Sequence, residues 1–326
     1  MIDISSQLGT FEAQIINYKV YNLAYMTIMR SIQATQMRGI PSCVVLVAPS
    51  GCGKSTLAQQ IISTFPPECS GEDETGAWKK RPTMYCGLPS KATIKSFTKA
   101  LLESLEFEAY SGDAFELTQR AIRQMRLQKV EVAFLDEFQM LADKKADQAQ
   151  RDVMNCIARL VDRTGIPFVI LGTDEIEEFF YKKGLLRRRF PFFAKLSPLQ
   201  FNLTDANSDL QLVLRGLDKK MYEIGHIKKG VHLHEPEIAL PLFAACGGIM
   251  EDLRLLLSNA FSFALYRADE TLRREDFFDA FEITRHDNCI LAENNPFDFD
   301  SGLLFEEVAG EKNENRHPFL RSVSSA

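Results

Sequence analysis

The residues with the clearest chemical capacity lie in Ala48-Pro-Ser-Gly-Cys-Gly-Lys-Ser-Thr56, directly after the apolar run Cys43-Val-Val-Leu-Val47. A buried strand that delivers a glycine-rich turn and then a helix is the arrangement phosphate binding requires. Gly51 and Gly53 let backbone N–H groups face an anion, and Pro49, Ser50, Cys52 and Thr56 complete the loop. Lys54 offers a point charge to β- and γ-phosphate oxygens, and Ser55 offers a hydroxyl to Mg2+. A helix expected from Thr56 to Ile62 would aim its N-terminal dipole at the same anion. The pattern G-x-x-x-x-G-K-[ST] is broken at its first position, where Ala48 stands for Gly. A strand-turn-helix corner with a solvated lysine reads the same in isolation, so partner residues must decide.

Four further groups supply those partners. Phe134-Leu-Asp136-Glu137 ends an apolar strand, where Asp136 suits Mg2+ binding through water and Glu137 suits polarising a water that attacks a γ-phosphate. A solvated acidic turn is the alternative for this pair. Thr173 ends Val169-Ile-Leu-Gly-Thr173 and puts a hydroxyl at a neighbouring strand edge, although a helix N-cap would use the same residue. Lys182-Lys-Gly-Leu-Leu-Arg-Arg-Arg-Phe190 holds three arginines before an aromatic; in an oligomer, Arg189 first and Arg188 second would reach a neighbour's γ-phosphate, with Arg187 in the same string. A solvated basic turn competes with that reading. Finally, Gly247-Gly-Ile-Met-Glu-Asp-Leu-Arg254 opens a helix whose Arg254 would touch nucleotide if this segment folded over the loop; otherwise it is a surface arginine.

Other clusters offer less. The seven cysteines form no C-x-x-C pair, so neither a disulfide framework nor a zinc ribbon is implied; Cys43, Cys156 and Cys246 read as buried fillers, and Cys52 as an alkylation-sensitive loop residue. His232-Leu-His234 places two histidines on one face of an expected surface strand, with no third ligand. No Ser/His/Asp or Cys/His nucleophile is supported. A net charge of −6 argues against coating nucleic acid by bulk attraction and leaves room for a local basic track.

These groups need elements to hold them. With 326 residues and 45% apolar content, the chain can bury one large α/β core and a smaller unit. No segment approaches the roughly 20 apolar residues of a membrane span and the start lacks a signal-peptide pattern, so a cytoplasmic protein is expected. Residues 1–38 read as a helical extension, with helix from Glu12 to Arg38, and residues 39–204 as an α/β core. Its strands fall at 43–47, 83–86, 130–135 and 166–172, and its helices at 92–105, 113–127 and 148–164, with Pro66–Pro82 as loop. Strands alternating with helices predict a parallel sheet. Residues 205–286 read as four helices, and 287–326 as an acidic tail in which Phe297, Phe299 and Phe305 could dock a partner or simply fray.

The order of phosphate loop, Asp-Glu strand, polar strand tip, arginine string and helical unit resembles the AAA+ ATPases, whose fold is a P-loop core with a parallel sheet flanked by helices and a C-terminal α-helical lid. The resemblance makes Thr173 a sensor-1 residue, Arg189 an arginine finger and Arg254 a sensor-2 residue. The pre-loop helix, Asp-Glu-Phe-Gln139 and Leu-Arg-Arg-Arg-Phe190 are similar to those of the TniB/TnsC group of DNA-transposition regulators. That likeness implies an Mg2+-dependent ATPase that forms rings or filaments on double-stranded DNA, marks a target and recruits a transposase together with a target-selection protein. It also implies that Lys91, Thr93 and Lys95 meet DNA phosphates; a plain helix N-terminus with solvated lysines is the other reading. A second basic stripe, Arg120, Arg123, Arg126 and Lys129, lies at helical spacing. The competing functions are an initiator- or loader-type ATPase, or a signalling ATPase acting on protein partners in replication or repair. A small-molecule kinase fits less well, because it has no use for the arginine string.

Overall fold

The computed structural model describes residues 3–74, 76–90, 93–108, 111–141, 147–177, 180, 188–202, 205–284, 287–291, 294–300, 302 and 304. The chain divides into two compact units, Val20–Ser197 and a second one combining Met1–Lys19 with Pro198–Ala326. The expected 1–38 extension is therefore divided: helix Ile4–Glu12 clusters with the C-terminal unit, and nearly all of helix Lys19–Arg38 with the α/β unit.

The α/β unit is built on a five-stranded sheet. Its strands are β1 (Val44–Val47), β4 (Thr83–Gly87), β5 (Val132–Asp136), β6 (Phe168–Gly172) and β7 (Phe192–Lys195), in the order β4-β5-β6-β1-β7. Every pairing is parallel, with Val45 opposite Ile170 and Phe193, and Leu135 opposite Cys86 and Ile170. The central strands β1, β5 and β6 are buried at every residue, as uninterrupted apolar runs covered on both faces must be. The outer strands alternate or expose residues instead.

Helices Lys54–Ile62, Ile94–Ser104, Ala114–Leu127 and Asp147–Thr164 belong to the same unit. Local chemistry sets their starts. Asp113 accepts from the Glu116 N–H at 2.8 Å while Glu116 reaches back to the Asp113 N–H, a reciprocal cap that contributes about 1 kcal/mol. Phe97, Leu101, Leu117, Met125, Ile157 and Leu160 bury their apolar stripes in one core with β5 and β6.

Two features depart from expectation. Strand β7 was not anticipated; its four residues hold a charge and only one fully buried position, a weak pattern that pairing with β1 completes. Pro66–Pro82 is not a plain loop but carries the antiparallel hairpin β2 (Cys69–Asp73) and β3 (Gly76–Lys80). Both faces are exposed, so no apolar alternation marks it. Side chains hold it instead: buried Arg81 donates to Glu68 at 2.6 Å and also to Glu106, and Trp78 lies over Gly71, where a Cβ would sit 2.6 Å from its ring.

The second unit contains helices Ile4–Glu12, Asp209–Gly225, Pro236–Cys246, Met250–Arg267 and Arg274–Glu282. Gly247 ends its helix in the left-handed region, its N–H donating to the Phe243 carbonyl at 2.8 Å. Phe11 packs against Phe261 with ring centroids 5.1 Å apart and the rings tilted by 57°. Described residues of the acidic segment pack into this unit: Phe297 is buried against Phe277, Arg274 donates to the Phe297 and Phe299 carbonyls, and Leu304 is buried with its N–H donating to the Asp300 carbonyl at 2.9 Å. Phe297 is thus spent on its own unit, and Phe305 lies outside the described residues.

Candidate phosphate and magnesium site

Strand β1 delivers Ala48 into the loop, where the Ala48 N–H donates to the Gly172 carbonyl of β6 at 3.0 Å. That bond needs no side chain at position 48, so alanine is accommodated there, fully buried. Gly51 and Gly53 take φ of 73° and 89°, the left-handed region that side chains resist. A Cβ on Gly53 would meet nothing within 4 Å, so backbone conformation and not crowding demands glycine there. Helix Lys54–Ile62 begins at once, and the Gly53 carbonyl accepts from Leu57 at 2.9 Å.

Lys54 turns its ammonium back onto the loop, donating to the Ala48 and Pro49 carbonyls at 2.9 and 3.0 Å. Ser55 donates to Asp136 Oδ2 at 3.1 Å, so the loop hydroxyl and the strand-end carboxylate lie together. Asp136 is buried and fully engaged: Oδ1 accepts the Glu137 N–H at 2.7 Å, and Oδ2 also accepts the Tyr85 hydroxyl. Burial and the Asp136 carboxylate push the Tyr85 phenol up to about 12, which keeps it a donor. Two hard oxygen groups at hydrogen-bonding distance fit Mg2+, and backbone amides at a helix start fit phosphate.

Glu137 is exposed and adopts a left-handed φ of 58°, placing its carboxylate beyond the end of the sheet. Gln139 donates to Glu137 Oε2 at 2.5 Å and accepts the Thr173 N–H at 3.3 Å. The Thr173 hydroxyl is buried and has no hydrogen-bond partner among the described residues, so it does not cap the following turn. An orphaned hydroxyl beside the carboxylate network is a second feature that suits an incoming oxygen ligand.

The remaining predicted residues divide between free and engaged. Arg188 is exposed and makes no ion pair among the described residues, whereas Arg189 holds Asp162 through two bonds of 2.8 and 2.6 Å. Arg187 and Lys91 lie outside the described residues. Thr93 caps helix Ile94–Ser104, its hydroxyl accepting the Ser96 N–H at 3.1 Å, and Lys95 is exposed in the first turn. In the second stripe, Arg120 donates to the Ser111 carbonyl and Arg126 to the Arg163 carbonyl, leaving Arg123 and Lys129 exposed. Within its own unit, Arg254 donates to the Phe11 and Glu12 carbonyls at 2.6 and 2.8 Å and lies 4.7 Å over the Phe11 ring.

Cys52 is buried, against the expected reactivity, and the exposed thiol among the described residues is Cys69. His232 and His234 lie in a turn and not a strand; His232 Nδ1 meets buried Asp218 at 2.9 Å, and no metal cluster occurs among the described residues. No helix of the described residues is long and apolar enough to cross a membrane. Sequence reading missed Tyr85 and gave Gln139 no role beyond its place in Asp-Glu-Phe-Gln139. Their signals were slight: a tyrosine alternating with buried Met84 and Cys86 beside the Asp136 strand, and a glutamine two residues after Glu137.

Solved structures with a similar fold include Aeropyrum pernix ORC2 in ADPNP and ADP complexes, with 11% identity, 85% of this chain and 71% of that chain covered, and a TM-score of 0.57. Aeropyrum pernix ORC1 in complex with DNA gives 14% identity, 86% and 68% coverage, and a TM-score of 0.58. Drosophila ORC bound to DNA gives 9%, 86% and 66%, and 0.53. At these identities the likeness carries the fold alone, an AAA+ core of parallel sheet and flanking helices. No curated protein sequence matches the chain. The family model for the bacterial TniB protein matches residues 11–197, which include the phosphate loop, Asp136, Glu137, Thr173 and the arginine string, and the chain accordingly belongs to the bacterial TniB family.

Proposed function

We propose that this protein is an ATPase that hydrolyses ATP to ADP and phosphate with Mg2+, oligomerises on double-stranded DNA and regulates transposition. The observation that carries the reading is the 3.1 Å contact between Ser55 and Asp136, which joins a phosphate loop to a buried carboxylate. In this reading Lys54 exchanges the Ala48 and Pro49 carbonyls for phosphate oxygens, and the amides of residues 51–55 cradle the β-phosphate. Ser55 and Asp136 would hold Mg2+, which when bound offsets negative charge on the phosphates. Glu137 takes the proton of the water that attacks the γ-phosphorus as the bond to the bridging oxygen breaks, and Thr173 orients that water. Arg188, exposed where Arg189 is engaged, is the better placed of the two for a neighbouring subunit's γ-phosphate. Arg254 would serve nucleotide only after leaving the Phe11 and Glu12 carbonyls.

For DNA, the supporting features are the exposed Lys95 in a capped first turn and the family membership, with Lys91, Thr93 and Lys95 as phosphate contacts. Marking of a target and recruitment of a transposase, with a target-selection protein, complete the proposal. The test is ATP hydrolysis with and without duplex DNA across a salt series. The proposal expects DNA stimulation that fades with salt and is lost in Lys91→Glu/Lys95→Glu. Hydrolysis indifferent to DNA would favour a switch acting on protein partners.

A further inference from the structure

Gln139 bridges two groups that the proposed hydrolysis needs to face one water. Its Nε2 donates to Glu137 Oε2 at 2.5 Å and its Oε1 accepts the Thr173 N–H at 3.3 Å. The partners fix the amide's orientation, because a backbone N–H only donates and a carboxylate only accepts. We propose that Gln139 is a positioning residue that sets the Glu137 carboxylate relative to Thr173, an inference that rests on the ATPase reading above.

Three observations support a dedicated role. Glu137 sits at φ 58°, a conformation that costs about 1 kcal/mol for a residue with a side chain, and Asp136 Oδ1 holds its N–H while Gln139 holds its carboxylate. The Thr173 hydroxyl, on the residue whose N–H Gln139 binds, is buried with no hydrogen-bond partner among the described residues, which suits it to an oxygen ligand. The end of β6 is cleared for the amide: a Cβ on Gly172 would lie 3.2 Å from Gln139 Oε1 and 2.8 Å from Ile176. One amide thus spans the ends of β5 and β6 and ties the base to the second water-facing group. A misplacement of about 1 Å at a reacting centre costs on the order of a hundredfold in rate, which sets the size of the effect.

The test compares Gln139→Leu, which removes both bonds, with Gln139→Glu, which keeps an acceptor for Thr173 but loses the donor to Glu137. Steady-state hydrolysis, ATP dissociation constant and thermal midpoint are measured for each, with Glu137→Gln in parallel. The expected result is a fall in kcat of about 10- to 100-fold in both Gln139 variants, with ATP affinity within about threefold of the parent. Retained kcat in Gln139→Glu overturns the inference, since capping Thr173 would then be the whole role. A raised kcat also overturns it, as does a loss of affinity and thermal midpoint equal to the loss of rate. If Glu137→Gln abolishes turnover while the Gln139 variants keep it, this inference alone fails. Turnover persisting in Glu137→Gln, or absent from the unaltered protein, overturns the ATPase reading and the inference together.

Discussion

Arg189 grips Asp162 with two parallel bonds, Nε to Oδ1 at 2.8 Å and Nη2 to Oδ2 at 2.6 Å, while Arg188 beside it stays exposed. A guanidinium held in this way would have to break a bidentate pair before it could serve another subunit. Under the ATPase proposal, that leaves Arg188 and not Arg189 to act on a neighbouring subunit. Arg188→Ala should lower hydrolysis at least tenfold with an unchanged thermal midpoint, and mixing it with Lys54→Ala subunits should recover part of the rate.

Arg189→Ala should instead act through stability, by up to about 1 kcal/mol because both side chains are partly solvated. The pH dependence has a definite sign. The Arg189 guanidinium holds the Asp162 carboxyl below its usual range, so the pair's contribution is full above the ordinary aspartate value near 3.9 and fades as pH falls through the depressed one. Denaturant titrations should show the gap between parent and variant constant at pH 5 to 7 and closing in acid.

Tyr85 and Ser55 donate to the same oxygen of Asp136, where metal would also bind. Removing the phenol hydroxyl relieves one competitor. Tyr85→Phe should lower the Mg2+ concentration for half-maximal hydrolysis by about threefold and cost about 1 kcal/mol of stability, read by metal titration and chemical denaturation.

Arg254 satisfies the last carbonyls of helix Ile4–Glu12 and covers Phe11. Arg254→Ala leaves those acceptors unmet and should destabilise by about 1–3 kcal/mol. Hydrogen exchange should quicken across residues 4–12, and an unchanged pattern there would remove Arg254 as the tether.

Thiol labelling should be selective. Burial pushes the Cys43, Cys86 and Cys246 thiols up to about 12, and Cys52 is buried, whereas Cys69 is exposed on the hairpin. A maleimide should modify Cys69 first, Cys69→Ser should abolish that fast phase, and hydrolysis should survive both.

What could be read from the sequence followed from how strongly burial constrains residue type. Strands β1, β5 and β6 lie in the sheet centre and need unbroken apolar runs, so their ends, and with them Ala48, Asp136 and Thr173, are legible in the sequence. The hairpin at Cys69–Lys80 escaped because it pairs with itself in solvent and is fixed by Arg81 and Trp78, which leave no periodic trace. β7 escaped because a four-residue edge strand needs little apolar content. Arg254 and Arg189 were legible as arginines in suggestive places, but their partners Phe11 and Asp162 are distant in sequence. Gln139 needed the geometry of two strand ends to become visible.

The central claim is ATP-driven assembly on DNA, and electron microscopy of the protein with a non-hydrolysable ATP analogue and duplex DNA tests it most directly. The account predicts rings or filaments enclosing the duplex, absent without nucleotide and absent with Lys54→Ala. Free protein particles beside bare DNA at saturating nucleotide would contradict it.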